Sequence, residues 1–167
     1  MKTAKELVAL LAREGLTLSV AESLTGGMTA SAMVSVPGVS AVFAGGLVSY
    51  TYAAKQSLGV SPAVLAAHTA ISPETAVEMA ARCKEFFATS LAVSVTGNAG
   101  PTPQDNQPIG CVYIAVQGQG QPTVLRHRFR GTRNRIRRQA ARAALAAVIF
   151  HMNDRKQHKE NKTNECF

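Results

Sequence analysis

Four segments of this 167-residue chain carry residue types that could do chemistry. The first is Ala21-Glu-Ser-Leu-Thr-Gly-Gly27. An apolar, β-prone run over residues 16–21 leads into it and a small-residue helical stretch follows to about Val34, so Ser23 falls in a strand-to-helix turn. Helix-start N–H groups point into such a turn, which suits phosphate binding or acyl transfer. A nucleophilic Ser23 would find oxyanion donors near Thr25 and Gly26, and Gly26 and Gly27 would let a substrate approach the backbone closely. The same residues also read as a serine helix cap followed by turn glycines, and the segment alone leaves both readings open.

The second segment is Tyr50-Thr-Tyr-Ala-Ala-Lys55. A serine hydroxyl is a weak nucleophile and needs a base. His127, His151 and His158 all lie in the basic end of the chain, and no carboxylate is evident to orient His68. A lysine serves as the base when burial or neighbouring positive charge lowers its pKa. Lys55 is one of six basic residues before Arg126, with Tyr50 placed to relay or orient the proton; an ordinary solvated lysine is the alternative. The third segment, Thr96-Gly-Asn-Ala-Gly-Pro101, is a glycine-containing loop after a buried strand, where a ligand contact is expected but no reaction is specified. The fourth is a run of eight arginines, from Arg126 to Arg142. It suits nucleic acid, a solvated helix face, or a single helix-start arginine meeting a phosphate. Its aromatic interleaving is limited to Phe129, which makes nucleic acid the poorer fit.

The elements that must position these residues follow from pattern. Residues 3–6, Thr-Ala-Lys-Glu, form a capping box, and Leu7, Leu10 and Leu11 repeat at helical spacing up to a Gly15 stop. Residues 41–50 read as an apolar strand interrupted by Gly45-Gly46. Ser61-Pro62 and Ser72-Pro73 each place a capping serine before a proline, predicting two helices, the second reaching about Ala88. Residues 91–95 predict a buried strand, and residues 111–117 and 124–129 a hairpin. A last helix over 132–152 has one packed face, traced by Ile136, Ala140, Ala144 and Val148. Residues 153–167 are polar without apolar periodicity and read as a frayed or disordered tail after a single domain over 1–152. Strands separated by helices predict a three-layer α/β domain whose sheet is largely parallel with one antiparallel excursion near its end.

Composition narrows the classes. Hydrophobic residues make up 46% and charged ones 17%, which excludes disorder for most of the chain. No run is long and apolar enough for a membrane span and the N-terminus has no signal-peptide core, so a cytoplasmic protein without membrane contact is expected. The formal charge of +8 is local. Through Leu125 the balance is −1, and from Arg126 onward it is +9. Cys83, Cys111 and Cys166 form no CxxC pair, so neither disulfides nor zinc are expected.

Taken in order, these segments resemble the CinA C-terminal domain family, whose characterised members are nicotinamide mononucleotide deamidases. The matching pieces are AESLTGG at 21–27, PGVSAVFAGGLVSY at 37–50 with a lysine five residues later, HTAISPETA at 68–76, VTGNAGP at 95–101 and FRGTR at 129–133. The resemblance implies a Ser23-Tyr50-Lys55 catalytic set, a second small hydroxyl at Ser40, a substrate-side loop at Thr96 and Gly97, and a substrate-associated Arg133. It also implies a three-layer α/β/α sandwich with a mixed five-stranded sheet. The activity implied is hydrolysis of nicotinamide mononucleotide to nicotinate mononucleotide and ammonia, needing neither cofactor nor metal. A homologue that binds nucleotide without turnover is the alternative. The stand-alone form of the family, without its N-terminal molybdopterin-binding-like domain, and a homo-oligomer are expected. This chain departs from the family at Leu24, usually cysteine, and at Asn98, usually apolar. Its loop Thr102-Pro-Gln-Asp-Asn-Gln-Pro108 replaces a glycine cluster and a lysine.

Overall fold

Leu7, Leu10 and Leu11 share the buried face of α1 (Lys2–Glu14) in the computed structural model, which describes the backbone of residues 2–164 and the side chains of residues 3–155. The helix begins before Thr3, so Thr3 and Glu6 lie inside it and do not form the expected capping box. Gly15 ends it as foreseen. At φ 62° it closes a left-handed cap in which Leu16 N–H donates to Leu11 O at 2.9 Å and Gly15 N–H to Ala12 O at 3.2 Å.

The elements then run β1 (Leu18–Glu22), α2 (Met28–Val34), a 3-10 turn (Val39–Ala41), β2 (Phe43–Val48), α3 (Tyr52–Ser57), α4 (Pro62–His68) and α5 (Pro73–Phe87). After them come β3 (Leu91–Gly97), β4 (Cys111–Gln117), β5 (Thr123–Arg128) and α6 (Arg133–Asn164). Ser61 and Ser72 cap α4 and α5 through their hydroxyls, with proline in the first turn of each helix. The short helix α3 was not legible in sequence. It is a single capped turn and a half, below the length at which apolar periodicity registers. The last helix also runs past Met152, where the tail was expected to begin. Residues 153–164 contain no Gly or Pro to break the helix, and three lysines with one Arg, one Glu and one Gln supply helix-forming side chains without an apolar face. Residues 165–167 of the expected tail lie outside the described residues.

The five strands form one mixed sheet in the order β2-β1-β3-β4-β5. β1 pairs in parallel with β2 and β3, while β4 pairs antiparallel with both β3 and β5. Four strands therefore point one way and β4 is the antiparallel excursion. Side-chain alternation divides the core in two. Val20, Val93, Val95, Val112 and Ile114 pack with α1, α2 and α6 on one face, and Ala21, Ala92, Ala115 and Cys111 face α5 on the other. The small side chains on the second face let α5 lie close, and Ser94 Oγ donates to Ala76 O of that helix at 2.5 Å. This is the three-layer α/β/α arrangement the element order predicted.

Glu22 holds the start of α2. The side chain is 1% exposed, and its Oε2 accepts from Gly27 N–H at 3.1 Å and Thr29 N–H at 3.0 Å, while Oε1 accepts from Ala30 N–H at 2.8 Å. Three otherwise orphan helix-start donors are thereby satisfied by one buried carboxylate. Glu22→Gln replaces a charged acceptor by an amide with its own N–H groups facing these donors. It is expected to lower unfolding stability by about 2 kcal/mol, read by urea denaturation.

Candidate active site

Ser23 is the first residue beyond β1. Its N–H donates to Val95 O at 2.9 Å, so the turn it begins is pinned between β1 and β3. Gly26 and Gly27 take left-handed backbone conformations, φ 58° and 93°, and the chain reverses there into α2. Gly26 N–H donates back to Ser23 O at 3.1 Å, and Gly27 N–H is held by Glu22. Thr25 is fully buried. These three residues therefore build the turn and do not line the cavity. The expected oxyanion donor at Gly26 is already committed, and within this turn the amides without a hydrogen-bond partner among the described residues are those of Leu24 and Thr25.

The base candidate arrives from α3. Thr51 caps that helix by accepting from Ala54 N–H at 3.1 Å, and helical side chains lean toward the N-terminus, which carries Lys55 back over the end of β2. Lys55 is 1% exposed. Its Nζ donates to Ser23 Oγ at 3.0 Å and to Ser49 O at 2.8 Å. Burial pushes its pKa down from the usual lysine range to about 8, with the Asp105 carboxylate pulling weakly the other way.

A cavity of about 290 Å³ opens beside this pair, lined among others by Ser23, Tyr50, Lys55, Thr96, Gly97 and Arg133. Gly97 is glycine for want of room, since a Cβ there would stand 2.5 Å from Cys111 O. Thr96 is buried and donates through Oγ1 to Ala70 O at 2.7 Å. Tyr50 lies just past β2 and is half exposed. Its hydroxyl accepts from Arg133 Nη2 at 2.7 Å and makes no hydrogen bond to Ser23 or Lys55, unlike the proton relay expected. Arg133, exposed at the start of α6, also donates through Nη1 to Gly100 O. Ser40 is not brought to this site. It sits exposed in the 3-10 turn before β2, and the parallel register with β1 puts it at the opposite end of the sheet from Ser23. His68 does have a carboxylate beside it, Glu74 at 3.7 Å, but both are about half exposed and neither lines the cavity.

Several residues that sequence reasoning passed over hold this geometry. Arg137, one of the arginine run, donates through Nε to Leu24 O at 2.9 Å and through Nη2 to Thr25 O at 3.0 Å. It clamps both carbonyls of the turn after the serine. Helical spacing puts Arg133 and Arg137 on one face, one turn apart, but does not say which backbone that face meets. Leu24 itself joins the main core with Val20 and Ile136, which accounts for a large apolar side chain at that position. Asn98 donates through Nδ2 to Thr102 O and Gln107 O and accepts at Oδ1 from Gly100 N–H, tying the loop to itself. Asp105 and Asn106, at φ 53° and 57°, supply a tight reversal without glycine between the paired Gln104 and Gln107. Asp105 Oδ2 then accepts from Ala70 N–H at 3.1 Å, latching the loop beside Tyr52.

Among the described residues no three His, Cys, Asp or Glu side chains gather as metal ligands would. Cys83 and Cys111 are buried and free, and Cys166 lies outside the described residues. No described helix is long and apolar enough to cross a membrane.

The lysine's lowered pKa has a measurable consequence. The unfolded chain holds the Lys55 proton up to about 10.5, whereas the folded protein releases it near 8, so folding opposes protonation and stability rises with pH across that window. Lys55→Met removes this dependence. The stability of wild type relative to Lys55→Met is expected to rise by about 2 to 3 kcal/mol between pH 7 and pH 10.5, measured by denaturant unfolding.

Comparison with known proteins gives one consistent result. Residues 1–152 match the CinA C-terminal domain family. A CinA-like protein of Myxococcus xanthus is 46% identical over 147 residues, covering 85% of this chain and 34% of that protein. One from Kosmotoga olearia is 43% identical over 144 residues, covering 85% and 35%. The chain thus spans about a third of the length of the curated relatives it matches. Among solved structures, the competence/damage inducible protein CihA from Agrobacterium tumefaciens superposes with a TM-score of 0.85 at 35% identity, covering 89% of this chain and 92% of that one. With the family matched across the whole span that carries the serine, the lysine and the arginine clamp, this chain belongs to the CinA C-terminal domain family.

Proposed function

We propose that the chain is an amidohydrolase that converts nicotinamide mononucleotide and water to nicotinate mononucleotide and ammonia. The observation that carries this reading is the 3.0 Å contact between a buried lysine and a serine at a strand-to-helix turn. Neutral Lys55 takes the Ser23 proton as Oγ attacks the carboxamide carbon, and the resulting ammonium returns it to the departing amine. The Leu24 N–H group, at the cavity wall, is the oxyanion donor, worth about 3 kcal/mol in comparable sites. Arg133 meets the nucleotide phosphate and fixes Tyr50 at the cavity mouth. A water molecule, deprotonated by the same lysine, then releases the acyl group as a carboxylate. Arg137 is a positioning residue that keeps the turn amides aimed at the cavity.

Ammonia release from nicotinamide mononucleotide, with the product identified by mass, tests the reading. Ser23→Ala and Lys55→Ala are each expected to reduce the rate by about a thousandfold or more. Nucleotide binding without ammonia release by the wild type would move the protein to the binding-only reading. The rate is expected to rise with pH through about 8 as Lys55 loses its proton. Asp105→Asn removes a carboxylate that favours the charged lysine, so its pH–rate midpoint should lie below that of the wild type. A midpoint unmoved or raised by Asp105→Asn would sink the assignment of that titration to Lys55.

A further inference from the structure

A second cavity, of about 560 Å³, lies at the other end of the sheet, with Lys84, His151 and Arg155 among its polar lining and Leu16, Leu91 and Met152 among its apolar walls. Leu91 opens β3 and Gly97 ends it, about 20 Å away along an extended strand, and the two cavities share no lining residue.

His151 is 2% exposed. Its Nδ1 lies 2.8 Å from Thr123 Oγ1, while Nε2 has no hydrogen-bond partner among the described residues. A buried ring nitrogen left unpaired carries its full desolvation penalty, which a bound group would relieve. Burial, and then the Arg155 charge, hold the ring below the usual histidine range against a weaker opposite pull from Asp154, so it stays neutral. Either atom of the Thr123 Oγ1–His151 Nδ1 pair can be the donor; when the threonine hydroxyl donates, Nε2 carries the hydrogen and offers it to a bound anion.

The charged groups sit beside it. A Cβ placed on Gly118 would stand 2.9 Å from His151 Nε2 and 3.4 Å from Arg155 Nη1, so the ring and the guanidinium are neighbours around a position without a side chain. Neither Arg155 nor Lys84 has a side-chain hydrogen bond or ion pair among the described residues. Glu14, the acidic member of the lining, pairs with Arg13 at 3.0 Å.

We propose that this cavity binds the monophosphate of a small organic molecule, independently of the reaction at Ser23. Arg155 and Lys84 neutralise the phosphate, His151 Nε2–H donates to one of its oxygens, and the organic body rests on Leu16, Leu91 and Met152. Two cations and one neutral donor suit a dianion better than a single carboxylate, and the apolar walls favour an organic phosphate over the inorganic ion.

The test is long-range proton–nitrogen NMR of the full ¹⁵N-labelled chain, following the His151 ring during titration with phenyl phosphate, inorganic phosphate and benzoate. A saturable shift of the His151 Nε2 resonance is expected with phenyl phosphate, which should bind about tenfold more tightly than inorganic phosphate or benzoate. Lys84→Gln and Arg155→Gln should each weaken it by about tenfold at unchanged melting temperature. The proposal is overturned by no saturable shift up to about 10 mM phenyl phosphate, or by the same shift with sodium chloride at matched ionic strength. Equal affinity for the three probes, or undiminished affinity in the Lys84→Gln, Arg155→Gln double variant, would overturn it as well.

Discussion

Placing a lysine side chain almost wholly out of water sets the terms for the rest of this fold. An ammonium group there is tolerated only with oxygen acceptors at hydrogen-bond distance, and Lys55 finds two, Ser23 Oγ and Ser49 O. Both stand just past the ends of adjacent parallel strands, β1 and β2. The pairing of those strands, the cap on α3 and the turn after β1 must all be correct before the lysine has anywhere to put its proton. The same burial that weakens its hold on that proton gives it the character of a base.

Around that contact the turn is fixed from two sides by opposite charges. Glu22 gathers the amides at the start of α2, and Arg137 gathers the carbonyls of Leu24 and Thr25. The carboxylate and the guanidinium never meet. Each saturates one kind of backbone group, leaving the peptide units next to Ser23 with defined directions. The turn after Ser23 therefore depends on α6, the last helix in the chain, as much as on the strand that carries the serine.

Much of the fold was legible because its signals are local. Ser61-Pro62, Ser72-Pro73 and Gly15 mark helix ends through their own backbone preferences, and the buried strands declare themselves as apolar runs. Ser23 and Lys55 were legible as types in suitable places and by family resemblance. What was hidden is what distance in sequence hides. Nothing near Arg137 in the chain says that it reaches Leu24, and nothing near Ser40 says that strand register puts it at the far end. Thr3 misled because the Thr-x-x-Glu spacing does not itself fix where the helix starts, and α1 is already helical at Lys2. Tyr50 misled for another reason, since its neighbour in space, Arg133, comes from the far end of the chain and takes the hydroxyl toward the cavity mouth.

The reversal of β4 also shapes the wall of the cavity. Because β4 returns antiparallel to β3, the connection between them begins and ends at the same edge of the sheet, and Asn98 N–H to Cys111 O and Gly110 N–H to Asn98 O close its neck. The residues between those two bonds take no part in the five-stranded sheet, yet Ala99 and Gln104 line the cavity and Gly100 O accepts from Arg133. The Pro, Gln and Asn residues of this segment are held by its own hydrogen bonds, from Asn98 Nδ2 to Thr102 O and Gln107 O and between Gln104 and Gln107. A change of sequence there would reshape the wall above Ser23 and leave intact the strands that carry the serine and place the lysine.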